Sequence, residues 1–524
     1  MKFTRPQRRT TAARLTALST ALLLLIAACG QSTGISLGLL SPSAQLIRGG
    51  EVEIQVTLTR TGGAAADVGL AVSGLPANTS ASFAPATLTG GAATSTLTIS
   101  STAAVAEGTY SLSVVGSGTG LSTSTPLSLT VTSLSVTGRL VDLSNMPVQG
   151  ASVSSQGDTD TTNADGSFEL SGLSIPYDLS VWSLADDWLH VIEGLTVAEV
   201  SVPAFGGATS YPPARSADVS GTLSGGVIPV PANQMVIVCV EGVNGFVQGC
   251  DTASTGDSSY SFTAEWYSST SRQVRIHALQ LEMDAGGYPV AFPGYASMTV
   301  TLTNSAPTVA NLNLGSELET REMEVLVDAD VAIGATVGAV QVGPNLALRV
   351  MGVYGPATSH VVDVPVIAGA SYTFAAATAL NHFSWNARQS GSTVTVHLPE
   401  VAAAVLPTAG MDNITLATAF TATNPAGGAL TFSWEFDTGF RTAVTTMSSS
   451  HTLPPVADYG FTIPPGEIGE WQVISHAGPT IEEGLEVLLD YINTFSLLLS
   501  PMSQGPSGTG TVSSTSLRDF KMAP

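Results

Sequence analysis

Apolar and polar residues alternate along most of this chain, and a two-residue period is the spacing of a strand with one face in a core and the other in water. The alternation is plain in Val52-Glu53-Ile54-Gln55-Val56-Thr57-Leu58, in Ser95 to Ile99, in Tyr110-Ser111-Leu112-Ser113-Val114 and in Val274-Arg275-Ile276-His277-Ala278-Leu279. Glycine and proline, 53 and 29 of the 524 residues, interrupt it at short intervals, so the chain reads as many short strands joined by turns. The prediction is an all-β protein of several domains, built as serial β-sandwich modules. One stretch departs from the pattern. Thr480-Ile481-Glu482-Glu483 is a capping box, and Leu485, Leu488, Leu489, Ile492 and Phe495 follow at helical spacing. That predicts one C-terminal helix over about 480–499, weakened but not excluded by Gly484, with its apolar stripe on the last sandwich.

The N-terminus has a different character. Lys2, Arg5, Arg8, Arg9 and Arg14, with no acidic residue among them, precede the apolar run Leu15 to Ala28, and small residues lead up to Cys29. This is the three-part form of an export signal, too short for a comfortable membrane span. Ile26-Ala27-Ala28-Cys29 resembles the bacterial lipobox. The resemblance implies removal of residues 1–28, diacylglycerol on the Cys29 thiol, a lipidated tether over 29–34 and attachment to a membrane through that lipid. Gly30 stands where an aspartate is associated with inner-membrane retention, so the expected location is the outer membrane or cell surface. Losing residues 1–28 removes five positive charges and no negative ones, which takes the formal net charge from −23 to −28. Such a chain is a poor partner for nucleic acid or for an anionic membrane surface.

Two further cysteines, Cys239 and Cys250, flank the turn-like Glu241-Gly242-Val243-Asn244-Gly245. In an oxidising compartment they are expected to cross-link a hairpin; two thiols without a nearby histidine make a poor zinc site. Lys521 is the only lysine after the export signal.

Five stretches follow the tether. Residues 35–132 carry Gly74-Leu75-Pro76-Ala77-Asn78, Ala81-Ser82-Phe83-Ala84-Pro85 and Gly108-Thr109-Tyr110, which together resemble a bacterial immunoglobulin-like surface module. Residues 133–206 carry Val136-Thr137-Gly138-Arg139-Leu140-Val141-Asp142, Pro147-Val148-Gln149-Gly150-Ala151-Ser152-Val153, Thr162-Asn163-Ala164-Asp165-Gly166-Ser167-Phe168 and Leu170-Ser171-Gly172-Leu173. These resemble the carboxypeptidase regulatory-like domain, which implies a small transthyretin-like sandwich without peptidase chemistry. After a linker at Tyr211-Pro212-Pro213, residues 216–318 open with Val219-Ser220-Gly221-Thr222-Leu223 and continue to Tyr260-Ser261-Phe262, repeating that frame as a diverged second copy. Residues 319–400 read as strands of no recognised family. Residues 401–524 hold Leu430-Thr431-Phe432-Ser433-Trp434 and Gly469-Glu470-Trp471-Gln472-Val473, which resemble a fibronectin type III-like sandwich.

The chain offers little to chemistry. His190-Val191-Ile192-Glu193 matches the bare spacing of a zinc carboxypeptidase ligand pair, but in a strand residues three apart point to opposite faces. Asp158-Thr159-Asp160 with Asn163 and Asp165 is oxygen-rich but lacks the register of a calcium loop, and reads as a solvated turn. His190, His277, His360, His382, His397, His451 and His476 never fall at the spacing of a local metal pair, and no nucleophile elbow or phosphate loop occurs. No catalytic, cofactor-binding or metal-ligating residue is read from the sequence. The expectation is a non-catalytic cell-envelope lipoprotein that displays serial sandwiches for adhesion, or binds an envelope protein or glycan. The alternatives are an accessory lipoprotein of an envelope transport or secretion complex, and an enzyme whose site is assembled from distant residues.

Overall fold

The computed structural model describes residues 33–524 except 63–66, 143–145, 205–214, 244–246, 268, 344–345, 379–381, 399, 401–402, 425–426, 500–501, 504–509 and 516; for 388, 491–499, 502, 503 and 510 it describes the backbone alone. Cys29 and the export signal lie outside the described residues. The chain divides into two compact units, Met1–Leu134 and Ser135–Pro524. Among the described residues both are built of strands, and the second also contains the helix Ile481–Leu499.

In the first unit, Gly34–Leu39, Glu51–Thr61, Thr94–Ser101 and Thr79–Ala84 form a four-stranded sheet. Ser43–Ile47, Leu121–Thr132, Gly108–Gly118, Val68–Ser73 and Thr87–Leu88 form a five-stranded one. The period-2 reading sets the faces. Ile54, Val56, Leu97, Ile99, Leu112 and Val114 share a core, whereas Glu53, Gln55 and Thr57 between them are exposed. Two local devices give the sandwich an immunoglobulin-like form. Ser43–Ile47 pairs parallel to Leu121–Thr132. The Tyr110 hydroxyl donates to the Ala106 carbonyl at 2.9 Å, tying the strand start back to the preceding corner.

The second unit begins within the strand Leu134–Val141, which lies between Ser167–Leu173 and Glu199–Pro203. Its counterpart is Arg215–Ser224, flanked by Ser259–Trp266 and, in parallel, by Thr308–Val309. In both places the opening strand has a final strand parallel to it, Glu199–Pro203 in the first and Thr308–Val309 in the second. Both also carry a glycine beneath an aromatic ring: a Cβ on Gly138 would lie 2.1 Å from Phe168, and one on Gly221 would lie 3.0 Å from Tyr260. Asp165-Gly166 makes a tight turn. Gly166 has φ +78°, and a Cβ there would meet the Leu140 carbonyl at 2.4 Å, so glycine meets both demands.

The strands are then joined in a way that chain order does not display. A fifteen-stranded sheet, with Met411–Ile414 and Arg518–Met522 attached beside its main path of thirteen, runs from Asp158–Thr161 and Ser152–Ser155 through Tyr177–Ser183 and Trp188–Leu195 into Arg441–Thr446, Ala429–Phe436 and Ile468–His476. It continues through Gly510–Ser514 into His382–Gln389, Ser371–Ala377, Ala335–Gly343, Leu346–Tyr354 and Met502–Ser503. Two pairings carry it across the stretches drawn from sequence. Trp188–Leu195 lies parallel to Arg441–Thr446 in register Trp188↔Arg441 to Ile192↔Thr445. Gly510–Ser514 pairs with both His382–Gln389 and Ile468–His476.

Each face of this sheet is covered. On one, Phe432, Trp434, Trp471, Val473 and Leu189 pack with Phe420, whose ring meets Trp434 and Trp471 edge-on at 5.2 and 5.1 Å. On the other lie Val337, Ala375, Phe383, Trp385 and Val512, with Ile474 and the helix residue Val487 against them. The Thr480 hydroxyl caps the helix by accepting the Glu483 N–H at 3.2 Å. Ile481, Leu485 and Leu488 are buried. Gly484 has a packing reason: a Cβ there would come within 2.6 Å of the Ala429 Cβ, so only glycine lets the helix approach that strand so closely. The helix therefore rests on strands from several stretches, Glu199–Pro203, Ala335–Gly343 and Gly510–Ser514 among them, and not on the last sandwich alone.

Residues 216–318 and 319–400 share a core as well. Ile237, Cys239, Leu279 and Phe292 pack in one cluster with Met323, Val325, Leu348 and Phe374.

Candidate functional site

The strand Trp188–Leu195 explains why His190 and Glu193 do not act together. His190 is fully buried on the helix side of the long sheet, whereas Glu193 emerges on the opposite side and meets a different histidine. Glu193 Oε1 lies 2.9 Å from His451 Nε2, and His451 Nδ1 donates to the Thr452 carbonyl. Burial opposes charge on His451, yet the Glu193 hydrogen bond and the Thr452 carbonyl hold its pKa above the ordinary value. Reciprocally, the His451 hydrogen bond keeps Glu193 below the usual carboxylate range against the opposing effect of burial. Both ring nitrogens of His451 are thus engaged within the fold, which fixes the geometry of the pair.

The alternation of the same strands places Ser180 and Trp182 on the Glu193 side. Tyr459, at the end of the short turn Val456–Tyr459, reaches them: its hydroxyl is 2.8 Å from Ser180 Oγ, and its ring meets Trp182 edge-on at 5.2 Å. Both rings are partly exposed. Leu184, 58 % exposed, lies beside Gly460 at the margin. This half-open surface of aromatic edges, a hydroxyl and an ion pair lies where residues 177–195 meet residues 441–460.

On the helix side, four side chains link Trp188–Leu195 to Arg441–Thr446, Ala429–Phe436 and Ile468–His476. His190 Nδ1 donates to the Pro203 carbonyl at 3.0 Å, and its Nε2 lies 2.8 Å from the Thr445 hydroxyl. Thr445 and Thr431 are 2.7 Å apart. Thr431 is 2.9 Å from His476 Nε2, and His476 Nδ1 donates to the Gly484 carbonyl at 3.0 Å. Burial pushes His190 down to about 3 and His476 down to about 4.

The remaining histidines occupy strand positions. His277 is buried between Tyr295, 2.8 Å from Nδ1, and Glu241, 3.3 Å from Nε2. The Glu241 carboxylate fills the space above Gly343, where a Cβ would fall 2.0 Å from its oxygen, and so bridges residues 216–318 and 319–400. Among the described residues neither ring nitrogen of the buried His382 has a hydrogen-bond partner, and burial, reinforced by His397, pushes it down to about 4. His397 itself is exposed and paired with Asp328 at 3.1 Å.

The oxygen-rich turn spends its carboxylates on backbone. Asp158 Oδ2 accepts the Ser171 N–H at 2.7 Å, Asp160 Oδ2 the Glu169 N–H at 2.8 Å, and Asp165 Oδ1 the Ser167 N–H at 3.1 Å. In this way side chains of Asp158–Thr161 close the edge beside Ser167–Leu173. Among the described residues no group of three or more His, Cys, Asp or Glu side chains is placed to hold a metal ion.

Cys239 and Cys250 are bonded, and they sit opposite one another in antiparallel strands, as a cross-linked hairpin requires. Cys29 is outside the described residues. Sequence reasoning did not find the surface around Trp182 and Tyr459 or the His190–His476 chain. Their members lie hundreds of positions apart; the local hint was a histidine at 190 set in the continuous apolar run Trp188 to Ile192.

No family model matches the chain, and no curated protein matches it. Among solved structures, the Bacillus anthracis TIE protein is 10% identical at a TM-score of 0.24, over 75% of this chain and 79% of its own. The surface layer protein SbsC, domains 4–9, is 9% identical at 0.15, over 84% and 63%. The chicken CNTN1 FN1–FN3 domains are 8% identical at 0.13, over 94% and 99%. Superpositions at this level carry no argument about function.

Proposed function

We propose that this chain is a non-catalytic cell-envelope lipoprotein, anchored by lipid on Cys29, that uses its β-sandwich framework to bind an envelope protein or glycan at the cell surface. The observation that carries the reading is the surface around Trp182 and Tyr459. Aromatic side chains there are half-exposed and held in place by Ser180, and the adjoining Glu193–His451 pair is saturated by its own hydrogen bonds. Such a surface favours adhesion over reaction, because rigid aromatic side chains supply contact area at low entropic cost while the ion pair fixes orientation. The lipobox-like Ile26-Ala27-Ala28-Cys29 and the likeness of residues 133–206 to the carboxypeptidase regulatory-like domain, which has no peptidase chemistry of its own, support the same reading.

Two measurements test it. Cys29→Ser should move the protein from the detergent phase to the soluble fraction; unchanged partitioning would refute the anchor. Tyr459→Ala should weaken binding to isolated envelope material about tenfold or more while residues 135–524 still unfold cooperatively. Undiminished binding by the folded variant would refute the surface.

A further inference from the structure

The buried chain from Pro203 to Gly484 contains one hydrogen too few. It has five links: Pro203 O to His190 Nδ1, His190 Nε2 to Thr445, Thr445 to Thr431, Thr431 to His476 Nε2, and His476 Nδ1 to Gly484 O. Each link needs one hydrogen between its two heavy atoms. A neutral imidazole brings one, and a threonine hydroxyl brings one. Two histidines and two threonines therefore supply four hydrogens for five links, whichever tautomers are chosen. One contact between 2.7 and 3.0 Å then sets lone pair against lone pair in a place closed to water.

We propose that His190, Thr445, Thr431 and His476 together form a binding site for one proton, shared between the two histidines through the two hydroxyls. With a fifth hydrogen every link is made. His190 as the cation donates to Thr445, Thr445 to Thr431, and Thr431 to the neutral His476. Reversing both hydroxyls gives the mirror arrangement with His476 as the cation, so no bond other than O–H and N–H changes and the charge is passed along the chain. A second proton has no place: six hydrogens would face five links, and two imidazolium ions would share one buried site. The depressed basicity that burial imposes on each histidine is in keeping with this limit.

The ionisable groups on the elements packed around the chain do not replace that proton. Tyr177 donates to the Val197 carbonyl, and Glu482 accepts from the Thr196 N–H and hydroxyl. Arg441 pairs with Glu435 farther along the same sheet face. Glu199, Glu483 and Glu486 are exposed, Glu470 is half-buried, and Asp490 of the helix is buried. Glu193 and His451 lie across the sheet. Acidification to the point of single occupancy therefore completes the joint between residues 188–203, the strands 429–476 and the helix, and a second proton breaks it.

The test is a histidine-specific 15N titration of the full chain. The His190 and His476 imidazoles should titrate as one event, each showing about half of a full imidazolium change. Thr431→Val interrupts the relay and leaves three links with three hydrogens, so the joint titration should vanish. Thr431→Ser restores the hydroxyl and should restore it, and Thr445→Val repeats the test at the other link. All six tryptophans lie in residues 135–524, so their fluorescence follows unfolding of that unit. Below the joint midpoint the unfolding equilibrium of Thr431→Val should climb about tenfold more per pH unit than that of the parent, because its folded state holds one proton fewer. Two independent full titrations, no titration of either ring before acid unfolding, or a joint titration that survives Thr431→Val would each overturn the proposal.

Discussion

The two units use the same kind of strand in opposite ways. In residues 33–134 the strands pair within about one hundred positions, and both sheets are drawn from one continuous stretch. In residues 135–524, Trp188–Leu195 finds its neighbour at Arg441–Thr446, and the strand that joins the middle of the sheet, Gly510–Ser514, comes almost last in the chain. Alternation of apolar and polar residues says that a strand exists and which face it buries; it does not say which edge it will pair with. A unit closed by local pairings can fold on its own, whereas one closed by a C-terminal strand must keep its edges open until that strand arrives.

That contrast can be broken most severely at the C-terminus. Deleting residues 510–524 removes the strand between His382–Gln389 and Ile468–His476, and should abolish cooperative unfolding across 135–524 with residues 33–134 unchanged, as read by limited proteolysis and tryptophan fluorescence. Survival of a protease-resistant 216–400 fragment would argue for modules that fold one by one. Reducing the Cys239–Cys250 bond should act next most strongly, by roughly 2 to 3 kcal/mol on the chain-entropy estimate for a loop of this size. Because Cys239 belongs to the core shared with Met323 and Phe374, differential scanning calorimetry should show residues 319–400 loosening together with 216–318.

His382→Leu is the opposite kind of change, since it removes a buried ring with no hydrogen-bond partner. A gain of about 1 to 3 kcal/mol in denaturant unfolding is expected. The gain should widen with acid: the unfolded histidine protonates below its ordinary 6.5 whereas the folded one resists until about 4, so the parent loses stability through that window and the variant does not. The smallest effect belongs to His451→Gln. His451 is held above its ordinary value and Glu193 below its own, so the pair stabilises the fold at pH values between the two. It weakens as pH rises through the His451 pKa or falls through the Glu193 pKa. The pair is partly solvated, so the loss at pH 6 should stay under ~1 kcal/mol and fade as pH rises through the His451 pKa.

How much was legible follows from the same distinction. The buried faces of Glu51–Thr61, Thr94–Ser101 and Gly108–Gly118, the Asp165-Gly166 turn, the Thr480 cap and the Cys239–Cys250 hairpin could all be read because each is a local pattern. Strands such as Ala335–Gly343 and Leu346–Tyr354 were harder to see. They are buried on both faces, so alternation disappears from them, and position 341 is glutamine inside that run. The histidine chain and the aromatic surface were out of reach for a different reason. They depend on which strands are neighbours, and Thr445 meets His190 only because a parallel pairing spans about 250 residues. Gly484 illustrates both sides: sequence reading gave its cost to the helix, and only the approach to Ala429 shows what it permits.

Native-state hydrogen exchange followed by mass spectrometry tests the central claim most directly, because it reads the opening free energy of each strand without altering the chain. If residues 135–524 are one interwoven unit, amides of Trp188–Leu195, Arg441–Thr446, Gly510–Ser514 and His382–Gln389 should share a single opening free energy, separate from that of Glu51–Thr61 and Gly108–Gly118. If Tyr177–Leu195 instead opens at its own free energy while Ala335–Gln389 stays protected, the long sheet is not the element that holds this unit together.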